Sequence, residues 1–371
     1  MFEAKFQNFS DEAEPLECQA RLSSLRGWLK SYKLDGFLIP RADAHQNEYV
    51  PKCAERLAWL TGFTGSAGFA IVLSKQAAIF VDGRYVIQVR QEIDARLFTP
   101  LDISEISPAN WLANHARPGA RIAYDPWLHT SAQIERFKKI LAEKDATLVA
   151  LDENPIDALW RDRPAEPKGR IFIYPSQLAG QSVEKKLAQL RVNLGDHDAA
   201  LLSDPHAIAW LFNFRGADVA HTPIALCFAL VPKKGLPRLY IDPEKVDPKI
   251  KPKLQKFLSL HPSKELLQEL RRWGKKRAQI LFDVATAPDL LVETVRAAGG
   301  VANVALDPIS LPKAIKNNAE INGARQAHIR DGLALSQFLA WFAHTAPAGK
   351  LTEISAAQAL ETFRRENGEL R

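Results

Sequence analysis

Arg21-Leu-Ser-Ser-Leu-Arg26, Asp35-Gly-Phe-Leu-Ile-Pro40, Leu57-Ala-Trp-Leu60 and Ile79-Phe-Val-Asp82 follow one another in the first part of the chain. They come back in the same order as Lys186-Leu-Ala-Gln-Leu-Arg191, Asp198-Ala-Ala-Leu-Leu-Ser203, Ile208-Ala-Trp-Leu211 and Leu239-Tyr-Ile-Asp242. The offset, about 150 to 165 residues, is far longer than a solenoid period and marks a duplicated domain. Within each copy, helical spacing alternates with short apolar runs. Leu22, Leu25, Trp28 and Leu29 share a helix face, and Gly36-Phe-Leu-Ile39 suits a buried strand that Pro40 ends. Phe69 to Leu73 and Ala77 to Val81 read as a strand hairpin, Ala120 to Asp125 as another strand, and Ser131 to Glu143 as another helix. The fold class is therefore α/β, with two layered modules.

Composition narrows the classes. The chain has 371 residues, 46% apolar and 25% charged, with a net charge of +6. That length suits two domains and a further piece. The basic runs Lys249 to Lys256 and Arg271 to Arg277 are broken by Leu, Phe and Trp at helical spacing. They read as solvated helix faces, so no nucleic-acid partner is expected. Cys18, Cys53 and Cys227 are scattered and form no Cys-x-x-Cys pair, which fits a reducing compartment. The stretch Met1 to Ser10 has no apolar leader pattern, and no segment reaches the length of a membrane span. A cytoplasmic protein without a membrane partner is expected.

Trp160 closes the first module, and the Pro- and charge-rich Arg161 to Gly169 is the linker. The expected domains are 1–160, 161–311 and 312–371. In the last, Asn317 and Glu320 have the spacing of a capping box. Ile321, Ala324, His328, Leu335, Phe338 and Phe342 then make one stripe of a long helix. His328 on that stripe is expected to be a core histidine. A second helix follows Thr352. Two helices are too little for a core of their own, and they read as the opening of a larger domain.

Several polar groups could carry function. Gly62-Phe-Thr-Gly-Ser-Ala-Gly68 is neither a dinucleotide fingerprint nor a phosphate loop, and Ser66 lacks the nucleophile-elbow context. A tight turn entering the Phe69 strand is expected there. Asp43 and His45 follow the first strand, and Asp204 and His206 follow its counterpart. Turn capping is the first expectation, substrate contact by Asp43 and His45 the second, and half of a metal site the third. Arg215, Asp218 and His221 cluster in a loop-like stretch. They either orient a carboxylate or peptide terminus, or hold an Arg215–Asp218 pair that stiffens the loop. There is no His-Glu-x-x-His, so no metal ligand set is expected in this chain.

Pro40-Arg-Ala-Asp-Ala-His-Gln46, Gly62 to Gly68, Asp82-Gly-Arg-Tyr85, Trp160-Arg-Asp-Arg-Pro164, Ile208 to Val219, Lys316-Asn-Asn-Ala-Glu320 and Arg325 to Asp331 together resemble the cytosolic three-domain Xaa-Pro aminopeptidases (aminopeptidase P), with the bacterial branch the better match. The resemblance implies two creatinase-like α/β domains, followed by the first helices of a pita-bread metallopeptidase domain that is incomplete here. It implies an enzyme that removes the N-terminal residue from peptides with proline at position 2, acting as a homodimer. The family's two divalent metals, usually manganese, are held by two Asp, one His and two Glu. The resemblance places all of these beyond Arg371. No catalytic residue is therefore expected here, and the 371 residues alone should be inactive. The other expectation is a non-catalytic peptide- or protein-binding or dimerisation module of the same descent.

Overall fold

The computed structural model describes Phe2, residues 4–9 and residues 17–368. Met1, Glu3 and Ser10 of the opening stretch, with the acidic residues up to 16, lie outside the described residues. The chain divides into two compact units. The larger holds residues 13–173 and 183–313, and the smaller holds residues 1–12, 174–182 and 314–371.

The larger unit contains the duplication. Its first sheet runs β1 (Gly36–Pro40), β2 (Phe69–Leu73), β3 (Ala77–Val81), β4 (Thr99–Asp102), β5 (Arg121–Tyr124) and β6 (Thr147–Ala150), in the order β4-β3-β2-β1-β5-β6. A small antiparallel pair, β7 (Phe172–Ile173) with β9 (Phe214–Arg215), accompanies the second sheet. That sheet contains β8 (Ala199–Leu202), β10 (Phe228–Pro232), β11 (Arg238–Tyr240), β12 (Ser259–His261), β13 (Gln279–Asp283) and β14 (Val301–Ala305). Its order, β12-β11-β10-β8-β13-β14, repeats the first strand for strand. In both sheets the first strand pairs antiparallel with its hairpin neighbour and parallel with the strand on its other side. Every residue of β1, β3 and β8 is buried. This is why these strands read as unbroken apolar runs rather than alternating ones.

The repeated words in the sequence are repeated clamps. Arg21 donates to the Trp59 carbonyl at 2.7 Å and lies 5.0 Å from the indole centroid. Lys186 does the same to Trp210, at 2.8 Å and 4.1 Å. Arg26 donates to Leu73 O at 3.0 Å, and Arg191 to Pro232 O at 3.4 Å, so each ties its helix to the end of the hairpin strand. The Asp35 carboxylate accepts from the Arg121 amide at 2.9 Å, and Asp198 accepts from Gln279 at 2.8 Å. These bonds fix the register of β1 on β5 and of β8 on β13. Burying the apolar helix faces stabilises each module, while the clamps choose its geometry.

The expected helix over Arg21 to Lys33 runs Cys18–Ser31, and Lys33 turns away with φ +56°. The Gly62–Gly68 stretch is the expected turn. Gly62 ends the helix Arg56–Thr61 at φ +82°, where the left-handed conformation favours glycine. A Cβ on Gly65 would lie 2.2 Å from the buried Phe63 ring, so the turn can wrap that ring only without a side chain there. Cys53 and Cys227 are free thiols, and all three cysteines are buried.

The two modules of this unit are joined by a built interface. The buried Asp289 carboxylate accepts from Ser131 Oγ at 2.6 Å and from Tyr124 Oη at 2.9 Å. The Asp289 amide donates to His129 O at 2.8 Å, and the Leu290 amide to Pro126 O at 3.0 Å. His129 itself is wholly buried, edge-on to Phe69 and Tyr124, and burial pushes its pKa down to about 3. The unfolded chain takes up this proton near pH 6.5 and the folded chain does not. Stability from this group is therefore complete above about pH 6.5 and declines as pH falls toward about 3, by up to about 1.4 kcal/mol per pH unit. Subtracting the urea-unfolding pH profile of His129→Phe from that of the unaltered protein should reveal this slope. Parallel profiles would show that the imidazole is protonated in the fold.

The smaller unit is built on the helices Asn318–Thr345 and Glu353–Glu366. The capping box read in the sequence is formed, with Asn317 Oδ1 accepting from the Glu320 amide at 3.1 Å and Glu320 accepting from the Asn317 amide at 2.9 Å. Residues 174–182, inside the second module by sequence, cluster here because Asn317 Nδ2 donates to Ala179 O at 2.9 Å and packs against Gly180. Glu361 is buried and accepts from the amides of Phe6 and Gln7. His328 is not a core residue. It is exposed, with Nδ1 2.8 Å from Ala324 O, and among the described residues of the long helix Ala334 alone is buried. Helical periodicity placed the stripe on one face correctly, but it carries no information on whether that face is covered.

Candidate binding cleft between the two modules

In the first module the chain reverses its direction of travel across the sheet at β1, whose neighbours are antiparallel β2 and parallel β5. In open α/β sheets, ligands bind beyond the carboxyl ends of strands at such a point. The carboxyl-end loops of β1, β5 and β6 here face residues of the second module across a cavity of about 870 Å³.

Asp43 and His45 both line this cavity and are both buried. Asp43 caps its own turn, accepting from the His45 amide at 2.9 Å, the Asn47 amide at 3.1 Å and Asn47 Nδ2 at 2.8 Å. His45 reaches across to the second module, donating from Nδ1 to Ser203 O at 2.9 Å and stacking on Phe228 at 4.3 Å. Burial lowers its pKa, so it sits there as a neutral imidazole. Its counterparts behave more simply. Asp204 caps the helix Pro205–Leu211 and pairs with Lys313 at 3.0 Å.

The loop after β5 contributes Asp125 and Trp127. Asp125 accepts from the Trp127 amide at 2.9 Å and from Asn154 Nδ2 at 2.8 Å, which links it to the loop after β6. Burial raises the Asp125 pKa above the usual carboxylate range. Arg56 grips Asp157 with two bonds, at 2.6 and 2.8 Å. Trp127 meets Phe228 of the second module with ring centres 6.0 Å apart. Such a cleft can bind and orient a ligand.

Arg215, Asp218 and His221 do not converge. Asp218 is fully buried, and its partner is Lys245 at 2.7 Å rather than Arg215. It also accepts from the amides of Gly169 at 3.0 Å and Leu226 at 2.7 Å. Arg215 donates to the carbonyls of Ala209 and Phe214. His221 is exposed at φ +58°. Sequence proximity suggested a local Arg–Asp pair, but Arg215 is bonded to backbone carbonyls and the buried Lys245 supplies the counter-charge. Lys245 in turn lines the cleft, and nothing in the spacing of Asp218 and Lys245 announces their pairing. Ser66 meets Tyr85 Oη at 2.8 Å and Glu48, with no histidine among its bonded partners. Among the described residues no group of three or more His, Cys, Asp and Glu side chains could hold a metal ion.

Residues 21–159 match the model of the creatinase/prolidase N-terminal domain, and residues 162–320 match a second model of the same description. Both modules belong to the creatinase/prolidase N-terminal domain family. The internal duplication is therefore two such domains in tandem. The chain is similar to a probable Xaa-Pro aminopeptidase P of Ajellomyces capsulatus, 33% identical over 368 residues, covering 94% of this chain and 60% of that protein. A probable Xaa-Pro aminopeptidase P of Coccidioides posadasii is 33% identical over 382 residues, covering 98% and 58%. Among solved structures, the X-prolyl aminopeptidase of Caenorhabditis elegans, a cytosolic enzyme with a di-nuclear active site, superposes with a TM-score of 0.89 at 26% identity, covering 94% and 60%. These relatives are fungal and nematode, whereas the sequence motifs pointed to the bacterial branch. The chain spans about 60% of the length of the relatives it matches. Among the described residues no helix is long and apolar enough to cross a membrane.

Proposed function

We propose that this chain supplies the two creatinase/prolidase N-terminal domains, and the first helices of the domain after them, of an Xaa-Pro aminopeptidase P. The observation that carries this reading is similarity at 33% identity running through both domains and into the helices after residue 312. On this reading the substrate is a peptide with proline at position 2 and the working protein is a cytosolic homodimer. Two divalent metals, manganese by the family resemblance, are held by residues outside the 371 residues given. The exposed His221, and Arg215 separately, are proposed to meet the peptide.

The exposed stripe of the helix Asn318–Thr345 supports this reading. Ile321, Leu335 and Phe342 on that stripe are 36%, 39% and 39% exposed, which suits a face made to be covered. A second reading is a peptide- or protein-binding module without catalysis, and the cleft between the two modules supports it.

A hybrid separates the two. Replacing the matching residues of the Ajellomyces capsulatus protein with this chain is expected to leave proline-specific release of the N-terminal residue intact. The 371 residues alone should release none and retain no stoichiometric manganese. A hybrid that melts cooperatively and binds metal but cleaves nothing would sink the peptidase reading.

A further inference from the structure

We propose that the cleft between the two modules is a binding site for a small organic cation with an apolar or aromatic body. The inference is independent of the peptidase reading, because it uses only this cleft's own walls. Its volume, about 870 Å³, falls in the range of about 300–1,000 Å³ that ligand pockets occupy. It lies at the switch point of the first sheet, where the carboxyl ends of β1, β5 and β6 converge.

The walls divide by chemistry. Trp127, Leu128 and Phe228 give an apolar and aromatic side, with Trp127 and Phe228 facing each other from different modules. The basic residues that might recruit an anion are largely committed. Arg56 is held by Asp157, Arg163 bridges Glu166 and Asp157, and Lys245 is buried against Asp218. Asp152 and Glu153, in the loop after β6, are exposed carboxylates and form no ion pair among the described residues. The Asn154–Asp125 bond ties that loop to the one carrying Trp127. An indole and uncompensated carboxylates lining one cleft attract an ammonium through both the ring quadrupole and direct charge. Lys264, exposed on the facing module, is the one cationic lining residue that forms no ion pair among the described residues, and it competes with the two carboxylates.

Titration calorimetry with phenethylammonium should give saturable binding at one site per chain. Phenylacetate and neutral phenethyl alcohol should bind at least about tenfold more weakly, a difference of one decade in the dissociation constant. Asp152→Asn with Glu153→Gln should weaken phenethylammonium about tenfold while leaving the melting temperature unchanged, since neither side chain braces the fold. Trp127→Ala should also weaken it, and the carboxamide pair keeps the test sound if that variant unfolds. Absence of saturable heat would overturn the proposal. So would phenylacetate binding as tightly as the cation, which would assign the cleft to Lys264 and an anion. Equal affinity in a folded carboxamide double variant would place any observed binding elsewhere.

Discussion

Lys245→Met is expected to cost the larger unit about 3–5 kcal/mol of stability, because it leaves a buried carboxylate without its cation. The Lys245 and Asp218 side chains are 7% and 0% exposed, and Nζ lies 2.7 Å from Oδ2. The methionine keeps the stem and its packing, so the loss reports the charge rather than a cavity. The amides of Gly169 and Leu226 would still point at Asp218, two donors in place of a full counter-charge. Adding Asp218→Asn should recover a large part of the loss, since a carboxamide oxygen serves those amides without needing a cation. Urea denaturation of the two single variants and the double closes the cycle. A single-variant loss below about 1 kcal/mol would mean that water or another group already balances the carboxylate. The result also bears on the Arg215–His221 stretch, whose Asp218 is an internal brace.

The second large effect belongs to Asp289. Asp289→Ala removes the acceptor of both Tyr124 Oη and Ser131 Oγ in a buried interface. Hydrogen bonds to a charged acceptor contribute about 1.5–3 kcal/mol each, so a loss of about 3–5 kcal/mol is expected. Its location gives it a second signature. Because the bonds run between modules, thermal unfolding should broaden or split as the two sheets begin to melt separately. A single sharp transition at the original temperature would show that the apolar contacts join the modules without help from Asp289. Asp289→Asn should lie between, since one amide oxygen can still accept.

The sequence disclosed what is local or repeated. Asn317 and Glu320 sit three residues apart and cap the helix they were read to cap. The duplicated words are legible because each names both ends of a clamp: Arg21 with Trp59, Lys186 with Trp210. Contacts between distant segments were silent. Arg56 and Asp157 are separated by 101 residues and His45 and Ser203 by 158, and no periodicity links them. Asp218 misled because a cation three residues away looks like a partner, whereas the buried one is Lys245, 27 residues on. His328 misled for a different reason. An amphipathic pattern shows that a face is apolar, while its cover is a property of other parts of a protein.

The pair of inter-module attachments has a mechanical consequence. Asp289 fastens the second sheet to the loops around Tyr124 and Ser131, and His45 fastens the end of β1 to Ser203. Two bodies pinned at one point can swivel freely, but pinned at two they keep only rotation about the line joining the pins. The opening between the sheets is thereby reduced to a single degree of freedom. A guest that fits at the resting aperture meets walls already in place and gives up little ordering entropy on entry. A wider guest is admitted only by rotation about that line or by breaking a pin, so size selection is built into the joinery rather than into any one lining residue.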